Sequence, residues 1–201
     1  MIDAIESLPM GNMKAIETNG EIVFVSQNGR FVIRGQLHDS WQRKKLETMS
    51  DMVYAVNHID VKALGLKPEN LNTLTIKGGE KEVYAFVDPK CEYCKLFIKE
   101  AKGKTSEYTF HIVVVPALGD ESDKLSRKIF CAANKELVVE AMLNNKIDAL
   151  EQKASCDMKL YDYTLMIATL FEFKSVPFFI APDYRYKVGA GTGFWDWLGN
   201  S

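Results

Sequence analysis

Val83-Tyr84-Ala85-Phe86-Val87, then Asp88-Pro89-Lys90, then Cys91-Glu92-Tyr93-Cys94 is the stretch on which the reading of this chain turns. Five consecutive apolar residues predict a strand buried on both faces. Asp-Pro breaks it, and Leu96, Phe97 and Ile98 within residues 91–102 give the next segment helical spacing. The two cysteines therefore stand where a buried strand gives way to a helix. There the unpaired N–H groups and the positive end of the helix dipole favour negative charge. The thiolate is the nucleophilic form of cysteine, so Cys91 reads as the attacking group. Cys94, one turn later, can close a disulfide back onto it and reads as the resolving thiol. A bare pair with two intervening residues is moderately specific; between a strand and a helix it is much more so.

The other two cysteines, Cys131 and Cys156, do not form a second close pair, and the three histidines (His38, His58 and His111) lie far from them in sequence. A four-cysteine zinc site usually supplies its ligands as two close pairs. No metal and no cofactor are therefore expected. Cys131 and Cys156 read as a bridge between two segments of a helical stretch, two buried free thiols being the alternative. Closing a loop of that length contributes about 3 kcal/mol in the chain-entropy model, and such a bridge would imply an oxidising compartment. Ser175-Val176-Pro177-Phe178 precedes another apolar run. A proline at a strand's start calls for a reason. It either begins the strand in the ordinary trans form, or is a cis proline facing the cysteine pair. In the second case the backbone of Val176 could pair with an extended substrate peptide.

Outward from this centre the chain divides. Asn19-Gly20 and Asn28-Gly29 are hairpin signals, because Asn-Gly tolerates the positive φ of two-residue turns. They predict a three-stranded antiparallel meander over 13–18, 21–26 and 30–36, with one buried and one partly wet face in the third strand. Three short strands make a poor independent core, so this piece needs a partner. From Ser40, the spacing of Trp41, Leu46, Met49, Val53 and Val56 predicts a helix. That helix either packs on its own domain or connects two domains. Residues 64–80, polar and weakly periodic, place a boundary between about 60 and 80. Beyond it come a second buried strand at 108–115, a broken helical stretch over about 120–173, strand-like runs at 177–180 and 186–188, and a short final helix at 194–198.

Lys plus Arg number 25 and Asp plus Glu 27, a formal net charge of −2. That balance lacks the positive field on which non-specific nucleic-acid binding depends, so no nucleic-acid partner is expected. No apolar run approaches the roughly 20 residues of a spanning helix. The first residues carry neither a basic region nor a long apolar run, so they do not read as a signal peptide. Two settings fit: a cytosolic protein, or a mature form with its signal removed.

In combination the motifs resemble the bacterial periplasmic disulfide isomerases of the DsbC/DsbG type. The residues that carry the resemblance are Gly11-Asn12-Met13-Lys14, Asn28-Gly29, Cys91-Glu92-Tyr93-Cys94, Cys131-Ala132-Ala133-Asn134-Lys135, Ala154-Ser155-Cys156-Asp157 and Val176-Pro177. The resemblance implies an α+β N-terminal dimerisation domain over 1–60, with an antiparallel meander and a linker helix from about residue 40. A linker over 61–80 and an α/β thioredoxin-like catalytic domain over 81–201, with a helical insertion at about 120–173, would follow. It further implies a periplasmic homodimer whose apolar cleft holds misfolded disulfide-containing proteins, and a membrane thiol reductase of the DsbD type as electron donor. Cys91 and Cys94 would be catalytic, Val176 and Pro177 would bind substrate, and Cys131–Cys156 would be structural. The expected function is isomerisation of non-native disulfides. Its alternatives are a related thiol oxidase or reductase, and a holdase-type chaperone with structural cysteines. Two positions depart from the isomerase pattern. Glu92 stands where a small residue is usual, and its carboxylate should oppose a Cys91 thiolate and make the pair less oxidising. Val176 stands where the isomerases commonly carry threonine, and a valine there is similar to the oxidase branch.

Overall fold

The computed structural model describes residues 2–8, 10–172 and 175–201. The chain forms two compact units, Met1–Gly65 and Leu66–Ser201.

In the first unit, strands β1 (Ala4–Ser7), β2 (Lys14–Thr18), β3 (Glu21–Val25) and β4 (Val32–Ile33) pair antiparallel in that order. Asn19 and Gly20 both take positive φ, 51° and 76°, as a tight turn between right-twisted strands demands. The second Asn-Gly builds a longer turn. Ser26 N–H donates to the Phe31 carbonyl, Gly29 N–H to the Ser26 carbonyl, and the Asn28 side chain accepts from Arg30 N–H. The meander thus gains a first strand at Ala4–Ser7 and shortens its last. The predicted buried face at 31–33 is absent, since Phe31, Val32 and Ile33 are each more than half exposed.

The helix expected from about residue 40 begins at Met49 instead, as α1 (Met49–Asn57). Leu37–Asp39 (β5) and Lys44–Leu46 (β6) form an antiparallel hairpin before it. The Asp39 carboxylate accepts from Trp41 N–H and Gln42 N–H, and Arg43 sits at φ 52°, which fixes the turn. The actual start is Thr48, whose hydroxyl accepts from Asp51 N–H while the Asp51 carboxylate accepts from Thr48 N–H. Leu8, Ala15, Phe24, Leu46, Met49 and Met52 form this unit's small core.

The second unit is built on a five-stranded sheet, ordered β11-β10-β8-β9-β7. Its members are β7 (Thr73–Ile76), β8 (Lys81–Val87), β9 (Tyr108–Val114), β10 (Phe178–Ile180) and β11 (Tyr186–Val188). β8 and β9 run parallel and the other pairs antiparallel. A parallel neighbour needs a crossover, which α2 (Glu92–Ala101) supplies between β8 and β9. Phe97 of α2 meets Phe110, Phe179 and the Phe194 ring edge-on, at centroid distances of 5.7, 4.6 and 5.7 Å. These rings centre the core and fix α2 on the sheet.

Residues 61–80, read as a linker, are largely part of this unit. Leu74 of β7 is buried, and β7 pairs along β9 from Thr73↔Val113 to Ile76↔Phe110. Gly78 and Gly79 pass so close to residues 105–108 that a Cβ at either would lie 2.2 or 2.3 Å from a backbone oxygen. A flexible spacer would not need such glycines. The helical stretch is α3 (Asp120–Cys131), α4 (Val138–Leu143) and α5 (Lys159–Leu170), separated by short 3₁₀ turns and by residues 150–158 without helix. Its predicted end at Phe173 lies outside the described residues. The final helix, α6, is Phe194–Gly199. No helix among the described residues is long and apolar enough to cross a membrane.

Candidate active site

β8 ends against a buried acid. Asp88 is fully buried, and its carboxylate accepts from Lys90 N–H and the Ser122 hydroxyl through one oxygen and from Leu118 N–H through the other, at 2.7–2.8 Å. A buried carboxylate requires such donors. Together they tie the turn after β8 to the loop after β9 and to the first turn of α3. The Asp88 carbonyl accepts from Cys91 N–H at 3.1 Å, which places Cys91 at the N-cap of α2.

Cys91 and Cys94 are free thiols. The Cys91 Sγ accepts from Cys94 N–H at 3.2 Å, one of the amides that a helix start leaves unpaired. On its other side the Cys91 thiol donates to the Val176 carbonyl at 3.7 Å. The Val176–Pro177 peptide bond is cis, and the Pro177 carbonyl accepts from Gly189 N–H at 2.7 Å. Four residues picked out in the sequence (Cys91, Cys94, Val176 and Pro177) are therefore brought to one place by two segments more than 80 residues apart. Cys94 lies beneath Cys91 with no exposed surface. Burial first, and the neighbouring Cys91 second, push the Cys94 thiol far above the ordinary thiol range. The pair is thus divided into a thiol at a helix start that keeps 8% of its surface exposed and a fully buried thiol whose ionisation burial opposes.

Cys131 and Cys156 are joined in a disulfide, which fastens the last residue of α3 to the segment before α5. The Met158 sulfur lies 3.5 Å from Cys131 Sγ and 3.9 Å from Cys156 Sγ. This bond stands apart from the Cys91 pair and shares none of its contacts among the described residues.

Glu92 and Tyr93, between Cys91 and Cys94, point outward; Tyr93 is 74% exposed. Leu96 and Leu118 are also more than half exposed on segments that adjoin the site. Asp88 and Lys95 were not singled out in the sequence. Asp88 read only as part of a strand breaker, although an acid directly after five apolar residues is a signal that it is buried. Lys95 carried no local signal, because its partner outside α2 is fifty positions away.

A dithiol at the start of the helix that crosses between two parallel central strands, faced by a cis proline, defines a thioredoxin-like unit. The chain is 24% identical over 164 residues to the thiol:disulfide interchange protein DsbC of Escherichia coli, a match covering 79% of this chain. It is also 24% identical over 148 residues to a probable DsbC of Bordetella avium, covering 72% of this chain. These matches take in 64% and 50% of the relatives, so the chain spans less than two thirds of their length. No family model matches. A disulfide interchange protein from Neisseria gonorrhoeae superposes with a TM-score of 0.55 at 15% identity, over 67% of this chain and 97% of that one. A periplasmic thioredoxin-like protein from Salmonella enterica serovar Typhimurium gives 0.50 at 18% identity, over 67% and 88%. The structures share the fold, and the resemblance to the DsbC type extends over most of the sequence.

Proposed function

We propose that this chain is a periplasmic thiol-disulfide oxidoreductase that reduces and reshuffles non-native disulfides, with Cys91 as nucleophile and Cys94 as resolving thiol. The observation that carries the reading is the position of Cys91 Sγ, at a helix N-cap, bonded by Cys94 N–H and 3.7 Å from the Val176 carbonyl. The Cys91 thiolate attacks one sulfur of a client disulfide. A Cys91–client bond forms, and the other client sulfur leaves as a thiolate. In isomerisation that thiolate attacks elsewhere in the client, and a client thiolate finally displaces Cys91, with no net transfer of electrons. In reduction Cys94 attacks Cys91 Sγ instead, its proton passing to the client thiolate that leaves. The client is then released with both thiols, and Cys91–Cys94 is left as a disulfide. A membrane thiol reductase of the DsbD type would return two electrons to it. The backbone at Val176 and Pro177 would hold an extended client segment as an added strand.

The same reading makes the N-terminal unit a dimerisation module. Its support is the run of exposed apolar side chains Phe31, Val32 and Ile33. A six-residue core of this kind gives a separate unit little stability of its own. Light scattering tests the pairing: the full chain should run at twice its sequence mass, and residues 66–201 alone at the monomer mass. A monomeric full chain that still reshuffles scrambled disulfides would remove the dimer from the account. Net oxidation of reduced clients without reshuffling would favour the oxidase reading.

A further inference from the structure

Lys95 is 4% exposed, an unusual place for an ammonium group. Its Nζ donates to Glu92 Oε1 at 2.6 Å and to Asn145 Oδ1 at 2.6 Å. Glu92 directly follows Cys91, and Lys95 directly follows Cys94. Asn145, beyond the end of α4, holds φ 56°, a left-handed conformation that asparagine tolerates better than most side chains. One end of the bridge is therefore fixed: the Lys95 side chain is 5% exposed and the Glu92 side chain 75%. A fully exposed i,i+3 pair would be screened and of little account. Here the buried cation holds an otherwise free carboxylate in one place, one residue from the sulfur whose charge decides the chemistry.

We propose that Lys95 is a positioning residue for the redox pair: held by Asn145, it neutralises the Glu92 carboxylate beside Cys91 and so sets the balance between dithiol and disulfide. This rests on the reading of Cys91–Cys94 as redox-active. Alone, the Glu92 carboxylate would oppose a Cys91 thiolate and favour the disulfide. Alone, the Lys95 ammonium would support the thiolate and favour the dithiol. Paired, the two nearly cancel, so the departure at Glu92 costs the reduced form little.

The test is the equilibrium of Cys91–Cys94 with reduced and oxidised glutathione, read by quenching, alkylation and peptide mass. Lys95→Met should shift the equilibrium about threefold toward the disulfide, the scale of one partly screened charge near the sulfur. Glu92→Gln, whose amide oxygen can still accept from the Lys95 ammonium, should shift it about threefold toward the dithiol. The double variant should lie between them, near the wild type. Asn145→Gly, which keeps the left-handed backbone, should move in the direction of Lys95→Met. Single variants that shift the same way, or that leave the equilibrium unchanged while the pair still exchanges, overturn the proposal alone. A wild-type pair that does not exchange with glutathione overturns the redox reading and the proposal with it.

Discussion

With alanine at position 91, reshuffling of a scrambled disulfide substrate should fall by at least about 10²-fold, the scale expected when a nucleophile is removed. The loss should be complete in practice, because Cys94 cannot take over. It has no exposed surface on which to meet a client disulfide, and burial pushes its thiol far above the ordinary range while no Cys91 disulfide is there to attack. The fold should persist, since Cys91 sits at the rim of the core and its backbone N–H, which donates to the Asp88 carbonyl, is unchanged. Refolding yield of the scrambled substrate, measured against time, is the readout. A Cys91→Ala variant that reshuffles at the wild-type rate would leave only a binding role for this chain. Aggregation suppressed by the inactive variant would show that client holding accompanies the chemistry.

Replacing Cys94 with alanine should have the opposite signature: an intermediate that persists. After Cys91 has attacked, escape toward the reduced client depends on a thiol one helical turn away. Intramolecular groups so placed act at effective concentrations of order 10⁵ M or more. Without it, the mixed disulfide must wait for a client thiol or an external one, and its lifetime should lengthen by on the order of 10³-fold. Trapping with acid and resolving without reductant should show covalent complexes of Cys94→Ala with reducible clients. Their peptide maps should place the bond at Cys91. A cost in stability of about 1 kcal/mol is expected from the small cavity. Complexes as short-lived as those of the wild type would exclude Cys94 as the resolving group.

Much of the second unit could be read locally because each signal lay within about a dozen residues. The run 83–87, the break at Asp88-Pro89 and the cysteine spacing are all contiguous, and β8, its loop and α2 follow them closely. The errors have equally physical causes. Trp41 and Leu46 fall by coincidence in register with Met49 and Val53, which do lie on the helix. The Asp39 turn and the left-handed Arg43 overrule that register with a hairpin, and the capping pair Thr48/Asp51 marks the true start. Thr73–Ile76 is a four-residue edge strand with little periodicity to detect, and its place in the sheet comes from pairing with β9. The electrostatics of the site were the least legible. Asp88 is stabilised by Leu118 and Ser122, and Lys95 by Asn145, all brought close only by the finished fold. The effect of Glu92 on Cys91 was predicted from sequence as opposition, whereas the neighbouring ammonium changes its setting.

Cys91–Cys94 should cycle between dithiol and disulfide while Cys131–Cys156 stays closed. That behaviour is tested most directly by equilibrating the intact chain across a series of glutathione ratios, alkylating and mapping all four cysteines. Cys91 and Cys94 should convert together in one two-electron transition, with Cys131 and Cys156 unalkylated throughout. If Cys91 and Cys94 remain free thiols at every ratio, or if Cys131–Cys156 is the pair that opens and closes, the account is contradicted.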